Sequence, residues 1–208
     1  MKSTRTTLSA RQRCCVFVAA LFALNRRTEA YSLLRKNLPR SAFPILFLQE
    51  LFIHLSLVLG FPAMLEGLEF LKHMRPDAKR GGTRMNVRGQ KEGKRILKRI
   101  YGGQTEKLLD NIGEIHSQAR SMIVHDVYGR VFSRPGLTLK ERELINVTVL
   151  AIQGLDRQLH SHVRGCLRVG VEVTMIRETL SLVQRISKRN MQTARTLLRL
   201  VVSQRKKL

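Results

Sequence analysis

The sequence contains no tryptophan, few cysteines and few acidic residues. Three Cys in 208 residues are too few for the dense disulfide framework of a small secreted domain, so we expect a reducing compartment. Five Pro and 14 Gly without a strict period exclude a collagen-like chain. Because 43% of the residues are apolar, the chain is able to bury a packed core, which excludes global disorder.

Acidic residues number only 15 against 38 Lys and Arg, which gives a net charge of +23. The excess lies in residues 1–40, 72–107 and 164–208, whereas residues 108–163 hold six basic and six acidic residues. Such a charge is compatible with nucleic-acid binding, because each phosphate contact releases a counterion. We do not favour that partner, since the sequence has no nucleic-acid-binding motif and no exposed aromatic platform for bases.

No apolar run is long enough to predict a membrane span. Cys14–Leu24 is apolar for eleven residues, whereas a spanning helix needs about 20. Basic residues precede this run, as in a secretory signal or transit peptide, but no A-x-A cleavage site follows it. We therefore predict a buried helix and a cytoplasmic protein, and leave an N-terminal targeting peptide open. Pro44–Leu59 carries Glu50 and His54, so we predict no span there either.

Sustained period-two alternation is also absent, which predicts an all-α fold. Apolar residues at three- and four-residue steps predict one long helix over residues 104–132. Thr138 to Glu141 resembles a capping box, and the helix it opens should end before Gly154. Asp156 is the predicted N-cap of the next helix. Two further helices are predicted, one from Thr174 to about Ser187 and one from Asn190 to Val202.

A weak internal repeat indicates two degenerate helical units. Leu8-Ser9-Ala10-Arg11 aligns with Leu137-Thr138-Leu139-Lys140, and an apolar helix-length run follows each. We predict a first unit over residues 1–73, a basic linker over 74–93 and a second unit over 94–208.

The second unit carries the most specific motifs. Tyr128-Gly129 and Arg134-Pro135-Gly136-Leu137 precede a helix that bears Glu143, and Gln158-Leu159 is followed by His162 and then, eight residues on, by Gly170. These motifs resemble the carboxymuconolactone decarboxylase family over about residues 94–186. The resemblance implies an alkylhydroperoxidase D-like helical bundle, usually assembled as a trimer or hexamer.

Acid–base chemistry is the first hypothesis for this unit. Gln158 and His162 are four residues apart, so they share a helix face. An antiparallel helix pair would bring Glu143 beside His162, where a carboxylate orients the imidazole and favours its protonated form. The family resemblance places both residues at functional positions. Arg134 and Arg164 are candidates to bind a substrate carboxylate, although both are also compatible with surface ion pairs.

The combined interpretation is a cofactor-free decarboxylase or lactone-processing enzyme that acts on a small carboxylated molecule. We predict His162 and Glu143 as catalytic residues, and Gln158, Arg134 and Arg164 as substrate-binding residues. No metal-ligand spacing is present among the six His and three Cys, so neither a metal nor another cofactor is predicted.

Two alternatives stay open. The peroxidase branch of the superfamily uses a C-x-x-C motif, and the corresponding positions here are Leu155 and Gln158, which excludes a dithiol relay in that form. Cys166 is a lone cysteine, and inert packing is its more common role. The other alternative is a non-catalytic basic scaffold. The first unit has Cys14, Glu29 and Leu33 where the second has Glu143, Gln158 and His162, so at most one site per chain is expected.

Overall fold

The computed structural model describes residues 7–37, 43–76 and 89–205, and within these ranges it is all helical, without a strand. Its α-helices are, in chain order, α1 Ala10–Ala23, α2 Arg27–Asn37, α3 Ile45–Met74, α4 Gly89–Tyr101, α5 Thr105–Ile115, α6 Ser117–Met122, α7 Leu139–Gln153, α8 Asp156–Arg168, α9 Val173–Ser187 and α10 Gln192–Arg205. A π-helical segment, Ile123–Phe132, continues α6. The all-α bundle predicted from the sequence is confirmed.

Helices α1 and α7 pack together at the centre and start in the same way. Ser9 and Gln12 form a capping box at α1, and Thr138 and Glu141 form one at α7. Each hydroxyl accepts a hydrogen bond from a backbone N–H of the first turn, and each longer side chain accepts one from the N-cap N–H. The predicted capping box of α7 is therefore confirmed, and α1 repeats it.

The predicted buried helix over Cys14–Leu24 corresponds to α1. Its residues Cys15, Val16, Val18, Ala19 and Ala20 are fully buried. Val16 and Ala20 belong to a core cluster with residues of α7 and α9, whereas Cys15, Val18 and Ala19 belong to one with residues of α3 and α7. Burial in two clusters explains why the run is apolar all round.

Two ion pairs join the halves of the chain in a related way. Arg13 on α1 contacts Glu178 on α9 at 2.6 Å, and Arg142 on α7 contacts Glu50 on α3 at 3.6 Å. Arg13 and Arg142 occupy matching positions of the repeat, and Glu50 and Glu178 occupy nearly matching ones. Each pair thus joins an arginine near the start of α1 or α7 to a glutamate on a helix from the other half of the chain.

The prediction of one long helix over 104–132 is wrong. His116 has an extended backbone conformation, with φ −166° and ψ 124°, and separates α5 from α6. Its ring Nδ1 accepts a hydrogen bond from the N–H of Gln118, so the side chain caps the helix that follows. The apolar periodicity continues across this break, which is why the sequence pattern does not reveal it.

Two further predictions need correction. Asp156 is the first residue of α8 rather than its N-cap, and Leu155 holds the N-cap position without a side-chain hydrogen bond. The predicted linker over 74–93 lies mostly outside the described residues, and its last part, from Gly89, is the first turn of α4. Gly93 packs closely against the π-helical segment, since a Cβ at this position would lie only 2.0 Å from the carbonyl oxygen of Val124.

Helix α3 is long and apolar enough to cross a membrane by length and composition. Its backbone is interrupted at Gly60, with φ 81° and ψ 170°, a conformation that favours glycine. The segment before the break has 15 residues by its bounds, or about 22 Å at the helical rise, less than the roughly 30 Å of a bilayer core. This segment also buries Glu50 and His54 inside the bundle.

Candidate functional site

Helices α7 and α8 bring the two predicted catalytic side chains together. The Nδ1 atom of His162 lies 2.9 Å from Oε2 of Glu143. Glu143 is fully buried, whereas 17% of the His162 side chain is exposed. The geometry of a hydrogen bond requires Nδ1–H to donate to the carboxylate, which leaves Nε2 of His162 for another partner.

Close packing of α8 on α7 depends on Gly165. A Cβ at this position would lie 2.7 Å from Oε2 of Glu143 and 2.9 Å from the side chain of Ile100. The second carboxylate oxygen of Glu143, Oε1, is buried without a hydrogen-bond partner in the described structure.

A buried polar network continues from this pair into α3. Nδ2 of Asn146 lies 3.3 Å from Nδ1 of His162, and Oδ1 of Asn146 lies 3.0 Å from Nε2 of His54. The other ring nitrogen of His54 lies 3.2 Å from Nη1 of Arg142. His54, Asn146 and Arg142 are all buried, so these polar groups are one another's hydrogen-bond partners inside the core.

The far end of this network is an ion cluster around Glu50. Arg134 donates hydrogen bonds from Nε and Nη2 to the Glu50 carboxylate at 2.8–2.9 Å, and Arg142 lies on the other side of it. Arg134 therefore pairs with Glu50 and does not line the cavity that contains His162. This bidentate geometry explains its position, since guanidinium groups match carboxylates in this way.

His54 and Arg142 both lie where burial disfavours charge. Burial lowers the pKa of His54 well below its usual 6.5, and the neighbouring Arg142 lowers it further. Burial also lowers the pKa of Arg142 to about 10, against the opposing effect of Glu50. At neutral pH the network thus contains a neutral His54 and a protonated Arg142.

His162 opens onto a cavity of about 780 Å³ between α5, the π-helical segment and α8. Asn146, Gln158, Ser161 and Arg157 contribute polar atoms to its wall, and Arg157 is the one Lys or Arg there among the described residues. Asn111 and Glu114 also line it, and the rest is largely apolar: Leu57, Val58, Leu108, Ile112, Ile115, Ile123, Val127 and Phe132. A largely apolar wall with a few convergent polar groups is typical of small-molecule sites.

Two tyrosine hydroxyl groups also face this cavity. The hydroxyl oxygens of Tyr101 and Tyr128 lie 2.8 Å apart, and both residues line the cavity wall. Burial raises the pKa of Tyr101 and of Tyr128 above its usual value of 10, and the charge of Glu143 adds to this effect. Both hydroxyl groups are therefore neutral at physiological pH, and within the pair one donates a hydrogen bond that the other accepts.

A smaller cavity of about 250 Å³ adjoins the first and shares Tyr101, Leu108, Asn111 and Ser161 with it. Three basic side chains line this cavity: Lys107, Arg164 and Arg168. Arg164, which the sequence suggests as a substrate-binding residue, thus lies one α8 turn from the His162 cavity. Three cations at one small cavity produce a local attraction for anions.

The three cysteines are buried, and their thiols are held in the protonated form. Cys14, Cys15 and Cys166 are buried free thiols. Burial raises the pKa of Cys14 to about 12 and that of Cys166 well above 9, so both are protonated thiols rather than thiolates. No cluster of three or more His, Cys, Asp or Glu suitable for a metal ion occurs among the described residues.

The first unit lacks a comparable pair. Cys14 is buried at the position that corresponds to Glu143, and Glu29 forms an exposed ion pair with Arg26 at 2.5 Å. Leu33 replaces the histidine.

The sequence contained a signal for the residues that our interpretation missed. Glu50 and His54 are four residues apart in an apolar run, and so are Arg142 and Asn146. Residues four apart share a helix face, so each pair is a polar spot on an otherwise apolar helix. Such spots need buried partners, although the pattern alone does not identify them.

Comparison with known proteins supports the resemblance that the motifs indicated. Residues 124–199 match the model of the carboxymuconolactone decarboxylase family. The chain is 28% identical over 91 residues to 4-carboxymuconolactone decarboxylase of Acinetobacter baylyi, a match that covers 43% of this chain and 68% of that protein. It is 30% identical over 90 residues to nitrosuccinic acid decarboxylase of Metarhizium robertsii, covering 43% of this chain and 63% of that protein.

Proposed function

We propose that this chain, whose residues 124–199 match the model of the carboxymuconolactone decarboxylase family, is a decarboxylase that acts on a small carboxylated molecule without a cofactor. The observation that carries the proposal is the Glu143–His162 pair at the wall of a largely apolar cavity. Both relatives described above bear the name decarboxylase.

The proposed reaction needs a carboxylate on the carbon α to a carbonyl group, as in a β-keto acid, or on the vinylogous equivalent of that carbon. The C–C bond to the carboxylate breaks, CO₂ leaves, and the electron pair moves to the carbonyl oxygen to form an enolate. The enolate carbon then takes a proton from Nε2 of the protonated His162, and water later restores that proton. Glu143 holds Nδ1–H, which keeps Nε2 directed toward the substrate.

Binding of the substrate is assigned to the two adjoining cavities. Arg157 and Gln158 provide polar contacts in the larger one, and Arg164 attracts a further anionic group in the smaller one together with Lys107 and Arg168. Apolar side chains around His162 exclude water, which strengthens each of these electrostatic contacts.

The experiment is a CO₂-release assay with 4-carboxymuconolactone, nitrosuccinic acid and oxaloacetate as substrates. We expect His162→Gln to lower kcat by about 10²- to 10⁴-fold on the accepted substrate, because the proton donor is lost. His160→Gln is the matched control, since His160 lies two residues earlier on α8 and lines neither cavity. Equal activity of wild type and His162→Gln would refute the assigned role.

Glu143→Gln tests the pairing separately. The amide keeps the size of the side chain but removes the charge that holds Nδ1–H. We expect the ¹⁵N spectrum of His162 to shift from the Nδ1–H tautomer toward a mixture, with a loss of kcat larger than the change in KM. An unchanged tautomer would show that the carboxylate does not orient the ring.

We also propose a homo-oligomer, a trimer or hexamer, in the cytoplasm. Six large apolar side chains are exposed among the described residues: Phe61 and Leu65 on α3, Ile115 and Met122 near the cavity, Leu155, and Leu200 on α10. Light scattering of the purified protein tests this proposal, and Phe61→Ser with Leu65→Ser should lower the measured mass if α3 forms the interface.

A further inference from the structure

We propose that Asn146 is a substrate-binding residue that donates a hydrogen bond from Nδ2 to the oxyanion formed in the cavity, and that His54 and Arg142 are positioning residues that fix its amide in this orientation. The inference rests on the proposed function for the identity of that oxyanion. It adds three residues to the site, two on α7 and one on α3 of the other unit.

Arg142 determines the orientation, because a guanidinium group only donates hydrogen bonds. Its Nη1 lies 3.2 Å from Nδ1 of His54, so Nδ1 is the acceptor and the proton of the neutral ring is on Nε2. This Nε2–H points at Oδ1 of Asn146, 3.0 Å away. The oxygen of the amide is thereby committed to His54, and the NH₂ group must face the opposite side.

The opposite side is the His162 cavity. Nδ2 of Asn146 lies 3.3 Å from Nδ1 of His162, but that nitrogen carries a proton that it donates to Glu143 at 2.9 Å. A protonated ring nitrogen has no lone pair to accept a second hydrogen bond. Asn146 therefore has a buried donor at the cavity wall that is not satisfied by His162, and leaving such a donor unpaired costs about 1–3 kcal/mol.

An anionic oxygen of a bound molecule is the partner that suits this donor best. In a decarboxylation the negative charge moves from the carboxylate to the enolate oxygen. A fixed N–H group beside the proton donor stabilises that charge without reorganising, and removal of one such donor in other enzymes costs about 10²- to 10³-fold in kcat. The reversed amide would instead point its oxygen at the enolate and would repel it.

The support behind Asn146 is rigid. The His54 ring packs edge-on against Phe132 with centroids 5.0 Å apart, and Arg142 is anchored by Glu50 and by the carbonyl oxygen of Arg134. Burial lowers the pKa of His54, which keeps the ring neutral, with one donor and one acceptor. His54 and Arg142 thus hold the Asn146 side chain in place from behind, as the residues around a binding group must do to keep its geometry precise.

The first experiment uses oxalate, a planar dianion, as the probe. In ¹⁵N-labelled wild-type protein we expect oxalate to shift the side-chain NH₂ signals of Asn146 in a saturable way, while His54 stays in the Nε2–H tautomer. Asn146→Leu should bind oxalate about 10- to 100-fold more weakly, the range of a lost hydrogen bond to a charged group. Thr148→Val is the matched control, because Thr148 is buried on α7 and bonds only the carbonyl oxygen of Leu144.

Variants of His54 test the positioning role. His54→Gln keeps an N–H donor near the place of Nε2 and should retain most oxalate binding, whereas His54→Phe keeps the ring volume and should lose it to the same degree as Asn146→Leu. If His54→Phe fails to fold, the tautomer of His54 in the wild type decides the matter, since an Nδ1–H form contradicts the orientation argument.

The outcomes separate this inference from the proposed function. Wild-type protein that does not bind oxalate, or that binds it without a shift at Asn146, overturns the inference, as does wild-type affinity in Asn146→Leu. Oxalate binding that depends on Asn146 in a protein without decarboxylase activity supports the inference and overturns the proposed reaction. Full decarboxylase activity in Asn146→Leu supports the proposed reaction and overturns the inference.

Discussion

The guanidinium group of Arg142 lies 3.6 Å from the carboxylate of Glu50 inside the core, and the two residues come from opposite units of the chain. The corresponding pair of the repeat, Arg13 and Glu178, is partly exposed, with 43% and 20% of the two side chains accessible. The same contact thus occurs once at the surface and once in the interior. Only the interior copy leads to His54 and the candidate site.

The difference in burial predicts a difference in stability. Glu50→Gln leaves Arg142 and Arg134 without a counter-charge, so we expect the free energy of unfolding to fall by about 3–5 kcal/mol. Glu178→Gln is the matched control and should lower it by about 1 kcal/mol or less, because exposed pairs contribute little. Urea denaturation of both variants measures the two values, and equal losses would contradict the prediction.

The buried His54 predicts a dependence of stability on pH. Because burial lowers the pKa of His54 well below 6.5, the unfolded chain binds a proton below that pH and the folded chain does not. His54 therefore lowers the free energy of unfolding as the pH falls below about 6.5, by at most about 1.4 kcal/mol per pH unit. His54→Gln should show a shallower decrease between pH 6.5 and 5, measured by urea denaturation, and an unchanged slope would speak against a neutral His54.

The thiols predict slow cysteine chemistry. With the pKa of Cys14 raised to about 12, only about one molecule in 10⁵ carries a thiolate there at pH 7. Cys15 and Cys166 are fully buried, and burial raises the pKa of both. We expect a thiol-specific dye to label none of the three in the native protein within minutes and all three in urea. Rapid native labelling, or thiol-dependent peroxide consumption, would support the peroxidase alternative instead.

The two arginines proposed from the sequence as substrate contacts should respond differently to substitution. Arg164→Gln removes a charge from the smaller cavity, so we expect KM for an accepted substrate to rise with little loss of stability. Arg134→Gln should mainly lower the free energy of unfolding, since it breaks a pair in which Glu50 is 1% exposed. Steady-state kinetics and urea denaturation of both variants distinguish these effects. A higher KM without a loss of stability in Arg134→Gln would indicate that Arg134 contacts the substrate.

Local features of this fold were predictable because the residues that produce them are close in sequence. The capping box at Thr138, the helix end at Gly154 and the burial of the α1 run each depend on residues within a few turns. The break at His116 was missed because the apolar residues keep their helical spacing on both sides of it. The pairing of Glu143 with His162 was suggested by family motifs, and its distance of 2.9 Å came from the structure.

What the sequence determined by itself is therefore an all-helical chain with a weak internal repeat and one conspicuous Glu and His combination. Only the tertiary structure brought His54 to Asn146 across 92 residues, and Arg134 to Glu50 across 84. These contacts depend on how α3 of one unit packs on α7 of the other, and helix packing is decided by the shape of whole surfaces rather than by any local pattern. For that reason a histidine without an obvious role in the sequence lies at the centre of the buried network.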